Sequence, residues 1–106
     1  MHTKLKLSTT IKEVSMIPKH RKPTHPGEIL WEDFLKPMEM TQQQLANKMG
    51  VPVQRINTLI NGKRGVTPET AILLSRTFGT TPELWMHLQA SYDLYIVKME
   101  MDDHAA

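Results

Sequence analysis

The chain has 106 residues, with 13 Lys and Arg, 11 Asp and Glu, five His and no Cys. This length allows one small domain and leaves no room for a second core. The lack of cysteine excludes disulfides and thiolate chemistry, and no apolar run approaches the roughly 18 residues of a membrane helix. No apolar segment follows the N-terminal lysines, so a secretory signal is not expected and a cytoplasmic location is predicted.

Charge is unevenly distributed along the chain, although the net charge is only +2. No Asp or Glu occurs from Met40 to Pro68. The charged residues inside that stretch are all cations: Lys48, Arg55, Lys63 and Arg64. Acidic residues lie on both sides of it, in residues 28–39 and 100–103. The middle of the chain is therefore the part that favours contact with a polyanion such as a nucleic acid.

Residues 1–23 are predicted to form a basic, flexible arm. Residues 1–25 contain six Lys and Arg against one acid, Glu13. The segment PKHRKPTHP, residues 18–26, has prolines and like charges that disfavour regular structure. Two interpretations stay open: a solvated tail without a role, or an arm that touches phosphates or a partner. Translation starting at Met16 is an alternative that would leave residues 1–15 outside the native protein.

Five helices are predicted after the arm, because each segment opens with a capping residue and several place proline at the first helical position. The first is predicted to run from Pro26 to Leu35. We expect it to end near Lys36, since Pro37 disfavours helical geometry in the residue before it. Its apolar positions share one face and are Leu30, Trp31 and Phe34.

The second and third predicted helices are separated by a tight turn. Thr41 opens the second helix, Gln44 completes a capping box, and Gly50 ends the helix in the left-handed conformation that glycine adopts readily. The third helix spans about Pro52 to Ile60 and is followed by the turn-rich NGKRG. The inward positions of the second helix are Leu45, Ala46 and Met49.

The fourth and fifth predicted helices open with similar sequences, TPET at Thr67 and TPEL at Thr81. Helix four covers about residues 68–78 and is expected to bury Ala71, Ile72, Leu74 and Phe78. Helix five starts at Pro82, continues past Tyr95 and is expected to fray after Met101, so residues 98–106 are predicted to form an acidic tail. No segment shows the alternation of apolar and polar residues that is typical of a strand, so the predicted fold is all-α.

Helices two and three, with the turn at Gly50, have the length of a helix-turn-helix unit. On a helical wheel centred on Ile56, the inward residues are Val53, Leu59 and Ile60. The outward residues are Gln54, Asn57, Thr58 and Asn61, and Arg55 lies on the flank. Such amide, hydroxyl and guanidinium groups match base edges in a major groove, whereas the competing interpretation is a face in contact with water alone. The surrounding lack of acids and the cationic NGKRG loop favour the DNA-reading interpretation.

The segment TQQQLANKMGVPVQRINTLINGKRGVTPETAILLSRTFGTTPELWMHLQ resembles phage-repressor-like (Cro/C1-type, or XRE) helix-turn-helix proteins. The preceding HPGEILWEDFLKP narrows the resemblance to HigA/VapI-type antitoxins, and together they cover about residues 24–97. The resemblance implies a five-helix, lambda-repressor-like DNA-binding domain that forms a homodimer. It also implies binding to a palindromic operator at the protein's own promoter and neutralisation of a small RNA-cleaving toxin encoded beside it.

The resemblance further implies roles for individual residues of the third helix and its surroundings. The residues expected to face bases are Val53, Gln54, Arg55, Asn57 and Thr58. The residues expected near phosphates are Gln42, Asn61, Lys63 and Arg64. Val53 is partly inward on the wheel, although at a helix start it could touch a thymine methyl group. No cofactor or metal site is expected.

Catalysis is the first competing function class, and the chain's five histidines provide little support for it. They are His2, His20, His25, His87 and His104. No metalloprotease motif, glycine-rich phosphate loop or nucleophile elbow accompanies them, and Glu83 with His87 is a single pair that is more simply a surface contact.

The second competing class is a helical protein-interaction module without a DNA role. Helix five carries Trp85, Met86, Tyr92 and Tyr95, which either form part of a dimer interface or close the domain's own core. A solitary helix-turn-helix regulator without a toxin partner is a further alternative.

Overall fold

The computed structural model describes residues 22–105, and within this range the chain contains helices and no strand, which confirms the predicted all-α fold. Helix α1 comprises three consecutive segments, Pro26–Ile29, Leu30–Leu35 and Lys36–Met38. The other helices are α2 (Gln42–Met49), α3 (Val53–Ile60), α4 (Pro68–Phe78) and α5 (Pro82–Ala105). The predicted arm, except for residues 22 and 23, lies outside the described residues, as does Met16.

Helix α1 continues through Pro37, so the predicted end near Lys36 is wrong. Its middle segment, Leu30–Leu35, is π-helical, and the Lys36 N–H donates to the carbonyl of Trp31, five residues earlier. Pro37 then lies in the first turn of the α-helical segment Lys36–Met38, where a missing N–H is tolerated. The wider π turn explains how the helix accommodates the proline ring, which would meet a carbonyl in a regular α-helix.

Glu39 ends α1 in the left-handed conformation, with a φ of 52°. The Met40 N–H donates to the Leu35 carbonyl at 2.9 Å and the Glu39 N–H donates to the Lys36 carbonyl at 3.2 Å, which is the bonding pattern of a Schellman motif. Among the described residues, Glu39 is the only one other than glycine with a positive φ. The sequence has no glycine here to indicate this turn.

The predicted turn between α2 and α3 is confirmed. The Thr41 hydroxyl accepts from the Gln44 N–H at 3.0 Å, and the Gln44 side-chain oxygen accepts from the Thr41 N–H at 2.8 Å, which completes the capping box. Gly50 ends α2 with a φ of 69°. Pro52 is the residue preceding α3, so this helix begins one position later than predicted.

The core lies where all five helices meet. Its buried apolar residues are Leu30, Leu35, Leu45, Ala46, Met49, Ile56, Leu59, Val66, Ala71, Leu74 and Trp85. Trp85 is fully buried, and its indole N–H donates to the Thr80 hydroxyl at 2.7 Å. The predicted burial of Ile72 is wrong, because α4 turns Ala71 and Leu74 to the core and Ile72 lies about 100° around the helix from Ala71.

Helix α5 is longer than predicted, because it remains helical through Ala105 instead of fraying after Met101. Its 24 residues span about 36 Å. Gln89 is the last buried residue along it within the described range. Beyond Gln89 the helix exposes large apolar side chains: Leu94, Val97, Met99 and Met101. No described helix is both long enough and apolar enough to cross a membrane.

Candidate nucleic-acid interface

Helix α3 presents the polar surface that the wheel predicted. Ile56 and Leu59 are buried and hold the helix against the core, while Gln54 and Asn57 are exposed. Val53 is exposed rather than inward, with 38% of its surface accessible, so the wheel placed it wrongly. The reason is its position at the first residue of the helix, where the chain is still leaving the turn. Its side chain therefore joins the outward face.

Three amide side chains form a continuous network across the helix-turn-helix. The Asn61 amide donates to the Asn57 side-chain oxygen at 3.2 Å, and the Asn57 amide donates to the Gln42 side-chain oxygen at 3.2 Å. The network joins the first residue of α2 to the middle and the end of α3. Gln42 and Asn61, which are expected near phosphates, thus both contact Asn57, which is expected to face bases.

Arg55 is not free on the flank of α3. Its Nη1 lies 2.9 Å from Oε1 of Glu69, in the first turn of α4. Its side chain is 29% exposed, whereas that of Glu69 is 70% exposed. Sequence reasoning missed Glu69 because it lies one residue beyond the acid-free stretch. The signal that could have revealed the pair is the short connection between α3 and α4, which brings the start of α4 back towards α3.

Thr58 directs its hydroxyl to its own helix. The Oγ1 atom lies 2.9 Å from the Gln54 carbonyl oxygen and 3.1 Å from that of Arg55. The Thr58 hydroxyl donates its hydrogen within the helix, while the hydroxyl oxygen and the methyl group of Thr58 remain able to contact a base edge. A surface depression beside it brings Arg64 next to this face, and it is lined by Pro52, Gln54, Arg55, Thr58 and Arg64.

The loop that carries Lys63 and Arg64 is attached to α5 by Gln89. The buried side-chain oxygen of Gln89 accepts from the Val66 N–H at 2.7 Å, directly after the loop. A Cβ atom at Gly65 would lie 3.0 Å from the Gln89 amide, so the contact is tight. Sequence reasoning did not identify Gln89, although a polar residue one turn after Trp85 on the inward face of α5 is a usable signal.

The start of α1 is packed directly against the end of α3. A Cβ atom at Gly27 would lie 1.8 Å from the carbonyl oxygen of Leu59, so only glycine fits between the two backbones. His25 caps this end of α1, since its Nδ1 accepts from the Gly27 N–H at 2.9 Å. Its ring meets that of Tyr92 edge-on at 4.9 Å. The HPGE sequence thereby fixes α3 relative to α1 and α5.

The environment of His25 shifts the pKa of its imidazole from the ordinary value. Burial of the imidazole lowers the pKa of His25, and this effect outweighs the opposing charges of Asp93 and Glu28, while the charge of Lys22 lowers it further. A low pKa suits its role as a cap, because the ring nitrogen must be unprotonated to accept the Gly27 N–H. Within residues 22–105, no three His, Asp or Glu side chains cluster as a metal site would require.

A family model described as helix-turn-helix matches residues 32–85, which extend from α1 to the buried Trp85. The chain belongs to the helix-turn-helix family. The matching type is XRE, as predicted, and proteins of this family are a DNA-binding, non-enzymatic class. The matched segment contains every residue predicted to meet bases or phosphates.

Two relatives support the narrower resemblance. The virulence-associated protein I of Dichelobacter nodosus is 41% identical over 76 residues, covering 72% of this chain and 70% of that protein. The antitoxin HigA-1 of Vibrio cholerae is 40% identical over 86 residues, covering 80% of each. Among solved structures, the antitoxin GraA in complex with its operator is 35% identical, with a TM-score of 0.75, and the match covers 84% of this chain and 90% of that one. The predicted resemblance to HigA/VapI-type proteins is confirmed.

Proposed function

We propose that this protein is a sequence-specific DNA-binding antitoxin that represses its own operon. The observation that carries this proposal is the Asn61–Asn57–Gln42 network on the exposed face of a helix-turn-helix. The similarity to a HigA-1 antitoxin supports the antitoxin role, and the similarity to GraA bound to its operator supports DNA binding. In this proposal, α3 enters the major groove of double-stranded DNA.

The base-reading step relies on amides that are oriented before DNA binds. Asn57 uses one amide hydrogen on Gln42 and one oxygen lone pair on Asn61. One donor and one acceptor remain, and these are the groups that pair with the N7 and N6 edge of adenine. Since the side chain is already held, less conformational entropy is lost on binding. The other proposed base-facing residues are Val53, Gln54, Arg55 and Thr58.

The phosphate-binding step relies on the surroundings of α3. The first turn of α2 contains no acidic residue, so the positive end of its dipole is available to a phosphate beside Gln42. Lys63 and Arg64 are exposed in the loop after α3. Together with Asn61 they would hold the duplex in register without reading its sequence.

Formation of a homodimer is the third part of the proposal. Leu94, Val97 and Met101 are spaced by three and four residues along α5 and are 71%, 50% and 65% exposed. This spacing places them on one stripe of the helix, and a stripe of large exposed apolar residues favours contact with another protein surface. A second copy of the chain would bury this stripe and place two α3 helices on a palindromic operator.

The proposed toxin partner is a small RNA-cleaving protein, and the proposed location of both proteins is the cytoplasm. The antitoxin name of the Vibrio cholerae relative supports the existence of a toxin partner. A toxin-like reading frame beside the gene would favour the antitoxin role, whereas its absence would favour a solitary regulator.

Footprinting on the DNA upstream of the gene tests the proposal. We expect protection of one inverted repeat, with half-site centres about 34 Å apart, one turn of the duplex. A helical protein-interaction module without a DNA role would leave the cleavage pattern unchanged at every protein concentration.

A further inference from the structure

The two TPE sequences place glutamates at equivalent positions but in different surroundings. Glu69 and Glu83 both lie in the first turn of a helix, each preceded by a threonine whose hydroxyl accepts from a backbone N–H of that turn. Helix capping accounts for both threonines. Among these two acids, only Glu69 has a hydrogen bond to the proposed DNA-reading helix, through Arg55. This difference is not explained by capping or by the helix dipole.

The Arg55–Glu69 pair is poorly suited to a purely structural role. Glu69 is 70% exposed, and ion pairs in contact with water contribute little to folding stability because solvent screens them. The pair does fix the orientation of a long, flexible side chain. Only Nη1 of Arg55 is bonded to Glu69, so other guanidinium donors remain for a base edge.

The anchoring of Arg55 has a physical effect on DNA recognition. An anchored guanidinium can reach a base in one geometry but cannot turn to whichever phosphate is nearest. This restriction weakens binding to random DNA more than binding to the correct site.

We propose that Glu69 is a positioning residue that sets sequence discrimination through Arg55. This inference rests on the proposed DNA-binding function and adds a residue outside the helix-turn-helix to it. Glu69 itself touches no base. It limits the contacts that Arg55 makes, so that affinity for random DNA stays low while the operator contact is kept.

The test compares the full-length protein with its E69Q variant on operator and random duplexes of equal length, by fluorescence anisotropy at several salt concentrations. The matched control is E83Q, which removes the same charge from the equivalent position of α5. We expect E69Q to bind random DNA about two- to threefold more tightly with operator affinity unchanged, so that the ratio of operator to random affinity falls by this same factor. E83Q should keep the wild-type ratio.

A double variant separates an effect through Arg55 from a general charge effect. In an R55A background, the change from Glu69 to Gln should leave the affinity ratio unchanged, because the residue it positions is absent. Thermal unfolding of E69Q should match the wild type within a few degrees, which excludes misfolding as the cause.

The outcomes distinguish this inference from the proposed function. If the wild type binds the operator much more tightly than random DNA and E69Q keeps the same ratio of the two affinities, the inference about Glu69 is overturned and the proposed function is not. An equal fall in E83Q, or a persistent effect of E69Q without Arg55, also overturns it. A wild-type ratio near one overturns the proposed function and this inference together.

Discussion

Asn57 donates a hydrogen bond to Gln42 across the turn between α2 and α3, with 3.2 Å between Nδ2 and Oε1. The bond makes the orientation of an exposed α3 amide depend on the first residue of α2. Asn61 holds the same amide from the other side. The proposed base-reading geometry is therefore a property of the whole helix-turn-helix unit, and changes at either end of the network should affect recognition.

Replacing Asn57 by Ala should reduce discrimination between operator and random DNA by roughly 1–3 kcal/mol, because a bidentate contact to a base is lost. Unfolding by urea should change by less than about 0.5 kcal/mol, since the side chain is exposed. Equilibrium binding to both duplexes measures the effect. Asn47→Ala is the control, because this exposed amide on α2 bonds to Gln43 and not to α3. Equal weakening on both duplexes would contradict the proposed role of Asn57.

Replacing Lys63 or Arg64 by Ala should weaken binding to every duplex to a similar extent, since phosphates carry no sequence information. The slope of log affinity against log salt should become shallower by about 0.9 for each lost contact. Titrations at four salt concentrations measure it. Arg76→Ala, which removes one cation from the last turn of α4, should keep the wild-type slope. If the salt dependence of binding is unchanged in both loop variants, the loop does not contact the DNA phosphates.

Replacing Gly27 by Ala should destabilise the protein by at least about 3 kcal/mol, because the new Cβ would overlap the backbone of Leu59, which cannot move away as a side chain could. Chemical unfolding measures the loss. Gly50→Ala is the comparison: no atom lies within 4 Å of its Cβ, and its positive φ alone should cost about 1 kcal/mol. A smaller effect at Gly27 than at Gly50 would refute the close contact between α1 and α3.

Acidification should destabilise the start of α1 through His25. Burial lowers the pKa of His25 below the ordinary 6.5, so the unfolded chain takes up this proton at a higher pH than the folded protein does. The free energy of unfolding should therefore fall as the pH decreases below about 6.5. Urea unfolding at pH 7.5, 6.5 and 5.5 (about one unit apart, spanning the ordinary histidine pKa) measures it. His25→Asn keeps a capping oxygen without a proton to gain, and it should reduce the slope; an equal slope would contradict the prediction.

Replacing Leu94 by Asp should shift the protein from dimer towards monomer, because a charge would lie in the proposed apolar interface. Light scattering coupled to gel filtration at micromolar concentration measures the mass. Met99→Asp is the matched control, since Met99 lies about 140° around α5 from Leu94 and is also exposed. A monomeric wild type, or a dimer that survives Leu94→Asp, would contradict the proposed interface.

The helix starts could be predicted from the sequence because their causes are local. Thr41 and Gln44 are three residues apart, and both predicted bonds of their capping box are present. Gly50 and Gly79 likewise end helices in the left-handed conformation. The inward positions Ile56 and Leu59 were correct for the same reason, since helical periodicity places them relative to one another without reference to the rest of the fold.

The errors and omissions arise where distant parts of the chain meet. The sequence predicts that α1 ends before Pro37, but a π-helical turn, which no local pattern indicates, accommodates the proline. Arg55 lies 14 residues from Glu69, and Val66 lies 23 residues from Gln89. Such pairs depend on how helices pack, so a wheel drawn for a single helix cannot reveal them.

Helix α3 is proposed to read a DNA sequence, and a competition titration measures whether it does. Labelled DNA from the protein's own upstream region is bound by the wild-type protein and then displaced by unlabelled copies of the same duplex or of a shuffled duplex. We expect the shuffled duplex to require at least about a thousandfold higher concentration at physiological salt. Displacement by both duplexes at the same concentration would contradict sequence-specific recognition.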